Sequence, residues 1–234
     1  MPDETTRRAY GGLSADERKT HRRDRLIDVA LSAMAANDWR SATVAGVCAA
    51  AGLNKRYFYE SFTDLDRLAS AVIDRIADEV GREALAAFVS SSGRPLEEQA
   101  RAAISAIVHV MAGDPRKAQV LFGAAAGPPE VQQHRARVLQ SLTQILVDHA
   151  RVIHGVELAA DSLARTAPPF VVGGTAETIL AWTKGTLDVP LESVIDDLTT
   201  LWLITGNGAA QNARQRLPQD NRDHIERTTN SPTP

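Results

Sequence analysis

The chain has 234 residues, 44% hydrophobic and 24% charged, the balance of an ordinary globular protein. A single cysteine excludes an internal disulfide, no apolar run is long enough to span a bilayer, and nothing at the acidic start (Met1 to Glu4) resembles a signal peptide, so a cytoplasmic protein is expected. The net charge of −3 counts against a nucleic-acid binder only until its distribution is read: from Arg18 to Arg56 eight Lys or Arg stand against three acids, and phosphate neutralisation is local.

Residues 1–15 have no hydrophobic period and read as a flexible N-terminal arm, in which Arg7 and Arg8 could follow a minor groove. From Asp16 to about Asn37, Ile27, Ala30, Leu31 and Met34 form a helical stripe, with Arg22, Arg23 and Arg25 on the other sides. Residues 43–62, TVAGVCAAAGLNKRYFYESF, then hold two short helical patterns meeting at a turn. Thr43 is a natural N-cap, and the amides of a helix start also suit phosphate. Val44, Val47, Cys48 and Ala51 share a face, and Gly52 stops the helix. Asn54 caps the next one, with Leu53 and Phe58 at the spacing of a hydrophobic staple. Phe58 and Phe62 point to a core, which leaves Lys55, Arg56, Tyr57 and Tyr59 facing outward on the first turns. A helix-turn-helix needs this arrangement to bring side chains to base edges, so Thr43, Asn54, Lys55, Arg56, Tyr57 and Tyr59 are the candidate DNA-binding residues. The plainer reading is a solvated basic surface on two packed helices.

Thr63 is the expected cap of the following helix, with Asp66 at its N3 position. Leu65, Leu68, Ala69, Val72, Ile76 and Val80 carry that helix to about Phe88, where Ser90 to Pro95 reads as a loop. Ala100, Ala103, Ile104, Ile107, Val108 and Met111 make a regular stripe ended by Gly113-Asp114-Pro115; a short helix follows from about Arg116 to Phe122. After Gly127-Pro128-Pro129 a long helix runs to about Ile153, with Val138, Leu142, Ile145, Leu146 and His149 inward. Two apolar segments close the body, Phe170 to Trp182 and Leu191 to Thr205, and the second is wider than one core face uses. From Gly206 the chain is polar and reads as a disordered tail.

No alternating strand pattern occurs, so the expected fold is all-α: an arm (1–15), a helix-turn-helix domain (16–64), a helical effector-binding and dimerisation domain (65–205) and a tail (206–234). The wide apolar surface of the last two helices suggests burial against a second copy, through Trp182, Leu191, Ile195, Leu198 and Trp202. Candidates for lining an effector pocket are His109, Gln119, Phe122, His149, Phe170 and Glu177. His149 and His154 are five apart, off the spacing for sharing a metal, and no metal or cofactor is expected. There is no Walker A loop, no G-x-S-x-G elbow and no H-E-x-x-H, so the expectation is no enzyme. The alternative is a helical enzyme or small-molecule carrier that binds no DNA.

The run T-V-x-x-V-C-x-x-A-G-L-N-K-x-x-F-Y-x-x-F, continued by Leu65 and Leu68, resembles the DNA-binding domain of TetR-type transcriptional repressors. Two positions depart from that pattern: Arg56 and Tyr57 stand where a small pair is frequent, and Leu65 where a lysine is common. The resemblance implies a homodimeric, ligand-responsive repressor. Its last two large helices would pair with those of a second copy in a four-helix bundle. Two recognition helices would then read a palindromic operator in double-stranded DNA, until a small-molecule effector changes their separation.

Overall fold

The computed structural model describes residues 14–123, 127–154 and 161–216. Residues 1–13 of the arm, 124–126, 155–160 and 217–234 of the tail lie outside the described residues. Among those described, every regular element is helical. The order is α1 (Ala15–Ala35), a 3-10 turn (Trp39–Ser41), α2 (Val44–Ala50), α3 (Lys55–Tyr59), α4 (Leu65–Ser90), α5 (Leu96–Gly113), α6 (Pro115–Leu121), α7 (Pro129–His154), α8 (Ser162–Thr183) and α9 (Leu191–Arg216).

Local chemistry sets most of these boundaries. Ser14 and Glu17 form a reciprocal capping box at the start of α1. Asn37 ends α1 in the left-handed region (φ 62°), and the Asp38 amide donates back to the Ala33 carbonyl at 2.9 Å. Asp114 accepts from the Arg116 amide and starts α6 with Pro115 behind it.

Three boundaries differ from the sequence expectation. Asp64, not Thr63, caps α4: its carboxylate accepts from the Arg67 amide at 2.7 Å, while the Thr63 hydroxyl donates to that carboxylate at 2.8 Å. A charged acceptor makes the stronger cap, and the hydroxyl serves it. Helix α8 begins at Ser162, eight residues before Phe170, and passes through Pro168 and Pro169. Each proline removes one helical hydrogen bond. Asp161 offsets part of that loss by accepting from the amides of Leu163 and Ala164. Helix α9 continues past Thr205 to Arg216, burying Ala209, Ala210 and Ala213. Alanine at those positions is an excellent helix former, although the segment reads as polar overall.

One continuous core joins the elements. Leu26, Ile27 and Leu31 of α1, Phe58 of α3 and Leu68, Val72, Ile73 and Ile76 of α4 are buried together. The same cluster runs on through Ile104 and Met111 of α5, Leu121 of α6, Ile179 of α8 and Val194, Ile195 and Leu198 of α9. Burying an apolar side chain of this size contributes about 1.5–3 kcal/mol. On α7 the inward expectation holds for Val138, which packs against the core, and fails for Ile145, which is exposed. The side chains of Leu146 and His149 lie outside the described residues. Polar tethers cross the same elements: Arg116 of α6 bonds Asp28 and Ser32 of α1, and Lys117 bonds Glu79 of α4 at 2.7 Å.

Candidate nucleic-acid interface

Helix α2 starts at Thr43, whose hydroxyl oxygen accepts from the Gly46 amide at 3.0 Å. It ends at Gly52 (φ 60°), with the Gly52 amide bonded to the Ala49 carbonyl and the Leu53 amide to the Cys48 carbonyl. That pair of bonds needs a left-handed residue between them, which glycine adopts without a Cβ penalty. A Cβ there would also stand 2.8 Å from the Arg25 guanidinium. Asn54 then accepts from the Tyr57 amide at 3.2 Å and starts α3. Phe58 is fully buried and Phe62 nearly so, their ring centroids 6.0 Å apart, and α3 is anchored against α1 and α2. Cys48 is buried in this packing, and burial pushes its thiol up.

With those anchors fixed, Thr43, Asn54, Lys55, Arg56 and Tyr59 are all exposed at the starts of the two helices and along α3. The Tyr59 ring meets Phe58 edge-on at 5.3 Å and is 59% exposed. Tyr57 departs from its expected outward direction. It is half-buried, and the Arg22 guanidinium of α1 lies over its ring at 4.3 Å. Arg22 also reaches Glu60, which bonds Arg56 at 3.1 Å. Glu60 and Arg22 were not among the sequence candidates. The i,i+4 spacing of Arg56 and Glu60 was the available signal for the first. Arg22 needs the α1–α3 packing to be seen.

The expected effector-lining residues are not all interior. His109, Phe170 and Glu177 are exposed; Gln119 and Phe122 are half-buried; the His149 side chain lies outside the described residues. His109 turns back on its own helix, its Nδ1 at 2.7 Å from the Ser105 carbonyl oxygen. Helical period identifies a face, and on α5 the core takes Ile104, Val108 and Met111 from the neighbouring face. No group of His, Cys, Asp and Glu able to hold a metal occurs among the described residues. An open groove of about 460 Å³ runs beside α4, lined by Arg23, Asp74, Arg75, Asp78, Glu79 and Arg82. Its lining is charged, unlike the apolar chamber a small organic effector needs.

The expected dimer residues also divide. Ile195 and Leu198 are buried in the protomer's own core, and Leu191, Trp182 and Trp202 pack against it. Trp182 donates from Nε1 to the Val189 carbonyl at 3.0 Å, and Trp202 to the Thr175 hydroxyl at 2.6 Å. The apolar side chains left in solvent on these two helices are Phe170, Leu201 and Ile204, at 69%, 55% and 65% exposure.

Comparison with solved structures decides the architecture. The chain is similar to the fatty acid degradation regulator FadR of Bacillus halodurans, 18% identical, with a TM-score of 0.61 over 78% of this chain and 94% of that one. A TetR-like transcriptional regulator of Rhodococcus sp. RHA1 is 18% identical, with a TM-score of 0.61 over 84% of this chain and 100% of that one. A TetR-family regulator of Streptomyces coelicolor gives 18% identity and 0.61 over 89% and 96%. The fold is that of the TetR-type transcriptional regulators. No protein-family model and no curated protein matches the chain. Helices α2 and α3, meeting at the Gly52 turn, stand where that fold has its helix-turn-helix. No helix among the described residues is long and apolar enough to cross a membrane.

Proposed function

We propose that this chain is a DNA-binding transcriptional regulator that reads a palindromic operator as a homodimer and is released by a small-molecule effector. The observation that carries the reading is the capped recognition helix α3, which holds Lys55, Arg56 and Tyr59 exposed on its first turns beside Thr43 and Asn54. Arg56 reads a base edge, where a bidentate guanidinium pairs with guanine. Lys55, Tyr59 and Thr43 contact phosphate, and Asn54 holds the amides of α3 in place. Tyr57, stacked under Arg22, supports the surface from behind.

One such helix touches too few bases to single out a site, so the reading requires two, set by a two-fold axis. The exposed Phe170, Leu201 and Ile204 on α8 and α9 suit burial against a second copy. Effector binding in the body would act through α4 and through the Arg116 and Lys117 tethers, which join the body to α1 and α4. The test is gel-shift titration on the DNA flanking the chain's own gene across a range of salt. Tight binding to a palindrome that weakens steeply with salt is the expected result. Binding to no duplex at low salt would sink the reading.

A further inference from the structure

Two cations of the candidate surface, Arg22 and Arg56, are held by one carboxylate. Glu60, the C-cap residue of α3, places Oε1 at 3.1 Å from Arg56 Nε and Oε2 at 3.7 Å from Arg22 Nη2. Each oxygen serves a different guanidinium. Arg22 is fixed a second time by its stack on Tyr57. The Arg56 side chain, 83% exposed, meets Glu60 one turn on along its own helix. The carboxylate thus spans α1 and α3 at the edge of the surface that would meet DNA.

We propose that Glu60 is a specificity-determining residue of this surface, resting on the DNA-binding reading above. In the free protein it cancels one of two positive charges and keeps both guanidiniums off phosphate, so arbitrary duplex is bound weakly. The pair to Arg56, whose guanidinium stands in solvent, is weak enough to open. Glu60 stays beside the negative backbone on any duplex, a repulsion screened only over about 10 Å at 0.1 M salt; a base pair presenting two acceptors to Arg56 offsets that cost, and a pair without them does not. The carboxylate therefore penalises arbitrary sequence more than the correct one.

The test compares wild type with Glu60→Gln, which keeps the side chain's size and removes its charge. Both are selected on one library of randomised duplexes; affinity is then measured for the enriched duplex and a scrambled one across salt. Glu60→Gln is expected to bind the scrambled duplex roughly five- to tenfold more tightly at 0.1 M salt, with the log–log salt slope steeper by about one. Its preference for the enriched duplex should shrink by a similar factor. Adding Arg22→Gln to Glu60→Gln should return the slope toward wild type, an effect that a merely structural Glu60 cannot produce. If the wild type enriches a site while Glu60→Gln keeps the same preference and slope, the assignment of Glu60 is overturned and the DNA-binding reading stands. A wild type that enriches nothing overturns both.

Discussion

Arg56 stands almost wholly in solvent at the start of α3, tied by a single side chain, Glu60, on its own helix. A long cation in that position can swing to a base edge at little cost, since exposed i,i+4 pairs contribute about 0.3–0.5 kcal/mol. Arg56→Ala is therefore expected to relax preference at one base pair of each half-site by ~1–3 kcal/mol, with most of the general affinity retained. Competition binding on duplexes changed at single positions checks this; unchanged discrimination everywhere would remove Arg56 from the reading surface. Tyr57 belongs to a different class despite being its neighbour. A position on α3 alone leaves it pointing outward, and the Arg22 guanidinium on α1 draws it into a stack. Pairings of this sort span elements, so spacing along one helix does not reveal them.

At the scale of elements, the boundaries that follow from adjacent residues were readable from the chain: the Thr43 and Asn54 caps, the Gly52 turn and the Phe58 anchor all lie where local chemistry places them. Asp64 against Thr63 was a contest between neighbours, won by the charged acceptor. Hydrogen bonds from the Arg67 amide and then the Thr63 hydroxyl hold the Asp64 carboxyl below its ordinary value of 3.8. A carboxyl lowered on folding stabilises fully above its unfolded value, and that stabilisation is lost as pH falls through the lower native value. Asp64→Asn keeps a capping oxygen that does not titrate. Its urea midpoint is accordingly expected to fall less steeply than that of wild type as pH is lowered below about 4. Parallel curves would contradict the cap's role. The nearby Asp66 works in the opposite sense, pushed up by burial first and then by Asp64 and Glu130; Asp64→Asn removes the Asp64 part of that push and leaves the rest. Helices α8 and α9 outran their expected bounds for a tertiary reason. The carboxylate of Asp161 at the start of α8 lies 3.9 Å from Arg216 at the end of α9, and the buried Ala209, Ala210 and Ala213 hold that last stretch in place.

Across the whole molecule the question is which apolar surface the chain buries in its own core and which it leaves exposed. The width of the apolar stripe points Ile195, Leu198 and Trp202 to an interface; in the protomer they serve α9's own packing, and Trp202 is bonded to Thr175 as well. Substituting them would test folding before association. Leu201 and Ile204 are the better probes, since both are more than half exposed in the protomer. Leu201→Asp with Ile204→Asp is expected to give a folded monomer by sedimentation at micromolar concentration, with half-site affinity only. A dimer that survives both changes would place the contact elsewhere. The all-α class, the helix-turn-helix and its outward cations came from the residues alone, because caps, turns and hydrophobic period act between neighbours within about four positions of the chain. Chain folding was needed to sort core from exposed apolar surface on α9, to expose His109 and Glu177, to turn Tyr57 inward and to join Glu60 to Arg22. Each of those outcomes depends on which other helix arrives at a given face, and an amphipathic stripe is silent about its partner.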